Sequence, residues 1–130
     1  MYDKTKVGDQ VPLFDDISTL TSVSIPNSVT TINGGAFKRS SGLTSVAIPN
    51  SVTTISYDAF KECTSLTSVT IPDSVTTIGD SAFSFCSELT SLLIGSGITN
   101  VGDEVVYYCG KLTNITIKAV TPPTIVRDSF

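Results

Sequence analysis

The sequence predicts an α/β repeat: a right-handed solenoid of short parallel β-strands joined by short helical or 3-10 turns. Three observations carry that prediction. The chain matches itself at an interval of 23 residues, in full copies beginning at Leu20, Leu43, Leu66 and Leu89 and a shortened one at Leu112. Apolar columns recur inside the copies: Leu at position one; Val23, Val46, Val69, Leu92 and Ile115 at position four; and Ile25, Ile48, Ile71, Ile94 and Ile117 at position six. The three cysteines, Cys63, Cys86 and Cys109, stand at the same interval, too far apart for a Cys-x-x-Cys motif and too regular for a disulfide framework.

Each element follows from its residues. Positions three to six alternate polar and apolar with β-branched side chains, as in Ser68-Val-Thr-Ile71, which predicts a short half-buried strand. Pro26, Pro49 and Pro72 at position seven end it, because proline has no N–H to give to a ladder. Val75-Thr-Thr-Ile78 then supplies two inward apolar residues three apart, which suits a bend or a second very short strand. A polar start such as Gly79-Asp80-Ser81 leads into Ala82, Phe83 and Cys86, a spacing that puts all three on one side of a helical or 3-10 turn, with Asp58, Asp80 and Asp103 as caps.

No single copy buries enough apolar surface to order its own backbone, so the copies must stack, with matched columns packing into one interior. Four repeats (20–42, 43–65, 66–88 and 89–111) form the body, and residues 112–130 a truncated capping repeat in which Phe130 is expected to close the last layer. Residues 1–19 read as an irregular cap or decayed half-repeat, since Val7-Gly8-Asp9-Gln10-Val11 parallels Val101-Gly102-Asp103-Glu104-Val105.

Composition narrows the function. A chain of 130 residues, 40% apolar and 15% charged, is a folded domain or short array and not a disordered tail. The absence of His removes a His-based triad, a His metal ligand and a neutral-pH switch. With a net charge of −4 and basic residues scattered, nucleic acid is not an expected partner. No run approaches the roughly 18 apolar residues of a membrane span, and residues 1–10 lack the apolar core of a signal peptide. Gly34-Gly35 and Gly95-Ser96-Gly97 lack the strand-to-helix setting of a phosphate loop, and Asp15-Asp16 and Asp103-Glu104 read as solvated loop charges. No catalytic residue, metal site or cofactor is expected.

The columns Leu-x-x-Val-x-Ile-Pro, Ser-Val-Thr-Thr-Ile-Gly and Ala-Phe-x-x-Cys resemble the BspA-like class of leucine-rich repeats over about residues 20–130. The resemblance implies a right-handed solenoid carried by bacterial or protist proteins that are displayed on the cell surface or secreted. It implies binding to a protein or glycan partner on a host or neighbouring cell, and no catalysis. The fourth copy departs most, with Gly95 in place of the strand-ending proline and Val105-Val106 in place of Ala-Phe.

Two surfaces are candidates for contact. Outward strand positions carry small side chains, among them Ser45, Ser68, Thr70 and Ser91, which make a flat, uncharged face suited to weak multivalent contact or to solubility alone. Positions nineteen and twenty run Lys38-Arg39, Lys61-Glu62, Ser84-Phe85 and Tyr107-Tyr108, grading from basic to aromatic. Phe85, Tyr107 and Tyr108 are either a contact patch or the seal of the C-terminal layers. The cysteines read as buried free thiols, with a disulfide between adjacent coils as the alternative. The expected function is a non-enzymatic interaction module of adhesin type; the alternative is self-association through open strand edges into an appendage or coat.

Overall fold

The structure is a computed structural model that describes residues 6–7, 19–125 and 129–130. Among the described residues the strands are β1 (Lys6–Val7), β2 (Ser22–Ser24), β3 (Thr31–Ile32), β4 (Ser45–Ala47), β5 (Thr54–Ile55), β6 (Ser68–Ile71), β7 (Thr77–Ile78), β8 (Ser91–Ile94), β9 (Asn100–Val101), β10 (Asn114–Ile117) and β11 (Thr124–Ile125). Every pairing is parallel. One side of the solenoid is a six-stranded sheet in the order β1-β3-β5-β7-β9-β11; the other carries β2-β4 and β6-β8-β10. Between full copies the register advances by one repeat, so that Ile32 pairs with Ile55 and Ile55 with Ile78. At the N-terminal edge Val7 pairs with Ile32, and at the other edge Ile125 pairs with Val101. Most of the 1–19 segment, including Asp15-Asp16, lies outside the described residues.

Strand length follows the proline column. Beside β2 and β4, Pro49 and Pro72 have no N–H to offer, and those strands stop at three residues. In the fourth and fifth coils Gly95 and Lys118 stand at that position and donate to the Ile71 and Ile94 carbonyls, both at 2.9 Å. The strands β6, β8 and β10 are accordingly four residues long.

The expected helical or 3-10 turns are not there: among the described residues there is no helix, and the α part of the predicted α/β repeat is replaced by a run of bends. Positions sixteen and twenty have positive φ in every full coil, at Gly35 (67°), Asp58 (54°), Ser81 (56°) and Glu104 (52°), and again at Arg39 (61°), Glu62 (61°), Phe85 (60°) and Tyr108 (56°). An α-helix holds φ near −63° throughout and directs its N–H groups to its own carbonyls. Here the groups alternate instead. The N–H groups of Gly35, Phe37 and Arg39 reach across to the carbonyls of Tyr57, Ala59 and Lys61 at 3.0, 2.8 and 2.8 Å, while those of Ala36, Lys38 and Ser40 close local turns at 3.1 Å. Bonding to the next coil wins because a helix would leave this side of the stack unpaired. The aspartates do not act as helix caps: Asp80 Oδ1 accepts the Asp103 N–H of the next coil at 2.8 Å, and Asp58 faces two lysines.

The interior is built from the repeated columns. Leu43, Leu66 and Leu89, with Ile32, Ile55, Ile78 and Val101, are buried along its length. Phe37, Phe60 and Phe83 stack ring on ring, 5.1 and 5.2 Å apart and within 7° and 2° of parallel. That step matches the roughly 4.8 Å spacing of paired strands, so side-chain and backbone repeats reinforce one another. Phe130, expected to close the last layer, is 47% exposed and covers that end only in part.

Candidate interaction surfaces

On the strand side Ser45 on β4 and Ser68 and Thr70 on β6 are exposed, and Ser91 on β8, the pairing partner of Ser68, is half-buried. Two threonine columns border the strands. Thr44, Thr90 and Thr113 donate their hydroxyls to the Thr21, Thr67 and Thr90 carbonyls at 3.0, 3.0 and 3.3 Å. Thr53, Thr76 and Thr99 do the same to Thr30, Thr53 and Thr76 at 3.2, 3.2 and 3.0 Å. In each case the backbone N–H of the same threonine reaches the same carbonyl. The hydroxyl therefore ties one coil to the one before it. Nothing in the residue type alone distinguishes these threonines from other exposed hydroxyls; their recurrence at positions two and eleven is the signal that marks them.

The fourth coil's departure from the motif has a structural counterpart. Asp73 Oδ1 accepts the Ser96 N–H at 2.7 Å, and a Cβ on Gly95 would lie 2.6 Å from the Asp73 nitrogen. Only glycine lets this corner come so close. The bonds from Ser96, with the nearby Lys118 ammonium, hold the Asp73 carboxyl below the usual carboxylate range.

Positions nineteen and twenty divide into three parts along the axis. Lys38 Nζ sits 3.2 Å from Asp58 Oδ2 and Lys61 Nζ 3.9 Å from Asp58 Oδ1, so one carboxylate faces both lysines; Arg39 is exposed beside them. Ser84 turns inward and donates to the Glu104 carbonyl at 2.6 Å. Beyond it Phe85, Tyr107 and Tyr108 form one exposed group, 38%, 45% and 67% accessible. Phe85 and Tyr108 are stacked at 5.3 Å, and Tyr107 meets them edge-on at 5.8 and 4.6 Å. The layers beneath are closed by Val105 and Val106, which are buried. Tyr108, partial burial and Glu104 together raise the Tyr107 phenol above its ordinary value.

All three cysteines are free thiols; Cys63 and Cys86 are buried and Cys109 is half-buried. Burial pushes the Cys63 thiol up to about 12, and contact with the Cys109 thiol together with burial raises Cys86. Among the described residues no group of three metal-ligating side chains converges, and no helix is long and apolar enough to cross a membrane.

Among solved structures, the chain is similar to several bacterial leucine-rich repeat proteins. One from Bacteroides ovatus is similar with a TM-score of 0.74 and 31% identity over 78% of this chain and 26% of its own. One from T. pallidum has a TM-score of 0.77 and 28% identity over 78% of this chain and 48% of its own, and one from Eubacterium ventriosum 0.66 and 26% over 87% and 36%. The chain thus spans about a quarter to a half of the length of these proteins. No curated protein matches it in sequence. The repeat columns, the parallel registers and a match to the BspA type leucine rich repeat region, in 6 copies over residues 10–130, lead to one conclusion: the chain belongs to the BspA type leucine-rich repeat family.

Proposed function

We propose that this chain is a non-enzymatic interaction module of a bacterial protein displayed on the cell surface or secreted, binding a protein or glycan partner in the manner of an adhesin. The observation that carries the reading is the aromatic group at Phe85, Tyr107 and Tyr108: three large rings in mutual contact, on the surface, at the edge of adjacent coils. Two of them stand at positive φ, where a bulky side chain is disfavoured. Tyrosine and its aromatic neighbours supply large, rigid contact area with a polar tip. The small-residue face through Ser45, Ser68, Thr70 and Ser91 offers weaker, repetitive contact, and Lys38 and Arg39 add charge at the far end of the same edge.

The test is a binding screen of the whole chain against immobilised matrix proteins and a glycan array, repeated with Phe85→Ser/Tyr108→Ser. A partner retained by the wild-type chain and lost by a double variant of near-normal melting temperature supports the reading. Binding that survives both substitutions moves the site elsewhere.

Self-association is the second reading, favoured by Ile115, Ile125 and Phe130, which are 37%, 47% and 47% exposed at the C-terminal end of the stack. Light scattering over a concentration series separates the two, since growth of mass with concentration belongs to assembly and a constant monomer mass does not.

A further inference from the structure

The repeat stacks Cys63, Cys86 and Cys109 in one column, yet their surroundings change along it. Each Sγ donates to the carbonyl of the phenylalanine column in the preceding coil: Cys63 to Phe37 at 3.2 Å, Cys86 to Phe60 at 3.2 Å and Cys109 to a Phe83 carbonyl 3.1 Å away. Cys63 and Cys86 are buried, whereas Cys109 lies half-buried in the wall of an end cavity of about 370 Å³ bordered by Val106, Leu112, Ile115 and Phe130. Cys86 and Cys109 stand at the same position of adjacent coils, each hydrogen-bonded to the preceding coil. The coils that carry Cys86 and Cys109 are separated by a step of 5.3 Å, measured between the Phe85 and Tyr108 rings. A disulfide bridges Cα atoms about 4.4–6.8 Å apart, so one coil step lies within its reach.

We propose that Cys86 and Cys109 are a modification site: a thiol pair closed into an intramolecular disulfide by exchange with a low-molecular-weight disulfide that enters through the end cavity, with Cys63 taking no part. Cys109 loses its proton to water, and its thiolate attacks the reagent disulfide, forming a mixed disulfide and releasing one reduced thiol. Cys86, after losing its own proton, attacks the Cys109 sulfur of that mixed disulfide. The Cys86–Cys109 bond forms and a second reduced thiol leaves. Two protein thiols are thereby oxidised and one reagent disulfide is reduced to two thiols. Access orders the steps, because exchange needs an exposed thiolate to begin. Closure ties together the two coils that carry Phe85 and Tyr107-Tyr108.

The test treats the folded chain with 4,4'-dithiodipyridine at neutral pH, counting released thiopyridone by absorbance and reading the product by mass and peptide mapping. The expected wild-type result is two thiopyridones per chain, a product lighter than the reduced protein by two hydrogens, a Cys86–Cys109 cross-linked peptide, and a Cys63 that reacts only in denaturant. Cys86→Ser should release one thiopyridone and keep the reagent on Cys109. Serine suits this column, since Ser40 occupies it, fully buried, in the first full coil. A wild-type product that stays a mixed disulfide, a Cys63–Cys86 bond, chains linked through Cys109, or three thiols reacting at one rate would each overturn the proposal.

Discussion

Phe85 and Tyr108, one repeat apart, stack on the outside of the solenoid at 5.3 Å and 1° from parallel, copying on the surface the arrangement of Phe60 and Phe83 at 5.2 Å and 2° in its interior. The same translation generates both pairs. Their energetic roles differ, because only the inner pair is removed from water.

The difference is measurable. Phe60→Ala should cost about 3–5 kcal/mol, as expected for a fully buried ring. Phe85→Ser with Tyr108→Ser should cost about 1 kcal/mol, the scale of one exposed aromatic contact. Urea unfolding of both variants checks this; equal losses would mean that the outer rings hold the last coils together.

Positive φ at position sixteen makes Ser81 a site where glycine is the natural residue, as Gly35 already is in the first full coil. Ser81→Gly should leave stability unchanged or higher by a few tenths of a kcal/mol, while Ser81→Val should lower it by about 1–2 kcal/mol because a β-branched side chain clashes in the left-handed region. Thermal melts of the two variants decide it, and a valine variant as stable as the glycine one counts against these bends.

Gly97 and Gly110 form a matched pair. A Cβ on Gly97 runs into the Asp73 carbonyl, whereas one on Gly110 meets nothing within 4 Å. Gly97→Ala should therefore destabilise by about 1–3 kcal/mol through overpacking. Gly110→Ala should be neutral or stabilising by about 0.4–1 kcal/mol through reduced freedom of the unfolded chain. Denaturant midpoints for both test how tightly the fourth coil's corner closes.

Cys63 makes stability depend on alkaline pH. Its thiol pKa rises from 9.0 to about 12 on folding, so between those values the folded chain holds a proton that the unfolded chain has released. Its contribution is complete below pH 9 and is lost progressively as pH climbs toward 12. Urea midpoints measured from neutral pH upward should fall less steeply for Cys63→Ser than for the wild-type chain. Parallel curves would show that this thiol ionises as easily folded as unfolded.

Much of this molecule was legible before any coordinates. The 23-residue period identified which side chains lie over one another: Ile32 over Ile55, Phe37 over Phe60, Cys63 over Cys86. Proline at position seven coincided with the end of a strand, and the burial of Cys63 and Cys86 followed from their shared place in the repeat. The helical turns were a misreading with a clear cause. Ala, Phe and Cys at helical spacing also fit a chain of bends with the same side buried, and only the destination of the intervening N–H groups distinguishes the two.

Position in the sequence likewise could not say what Lys38, Ser84 and Tyr107 would do, although all occupy one column. Lys38 faces Asp58, Ser84 turns to a backbone carbonyl, and Tyr107 stands in solvent. Each depends on a neighbour one repeat away and on how much room that neighbour leaves.

What the sequence determined by itself was the periodic part: parallel stacking, a shared apolar interior, and the identity of every column. Tertiary structure alone decided the rest, namely that position sixteen and position twenty go left-handed, that threonine hydroxyls tie coil to coil, and that three aromatic rings gather outside. The physical reason is that periodicity specifies which residues meet, while hydrogen-bond donors choose between partners in their own coil and in the next only when the next coil is present.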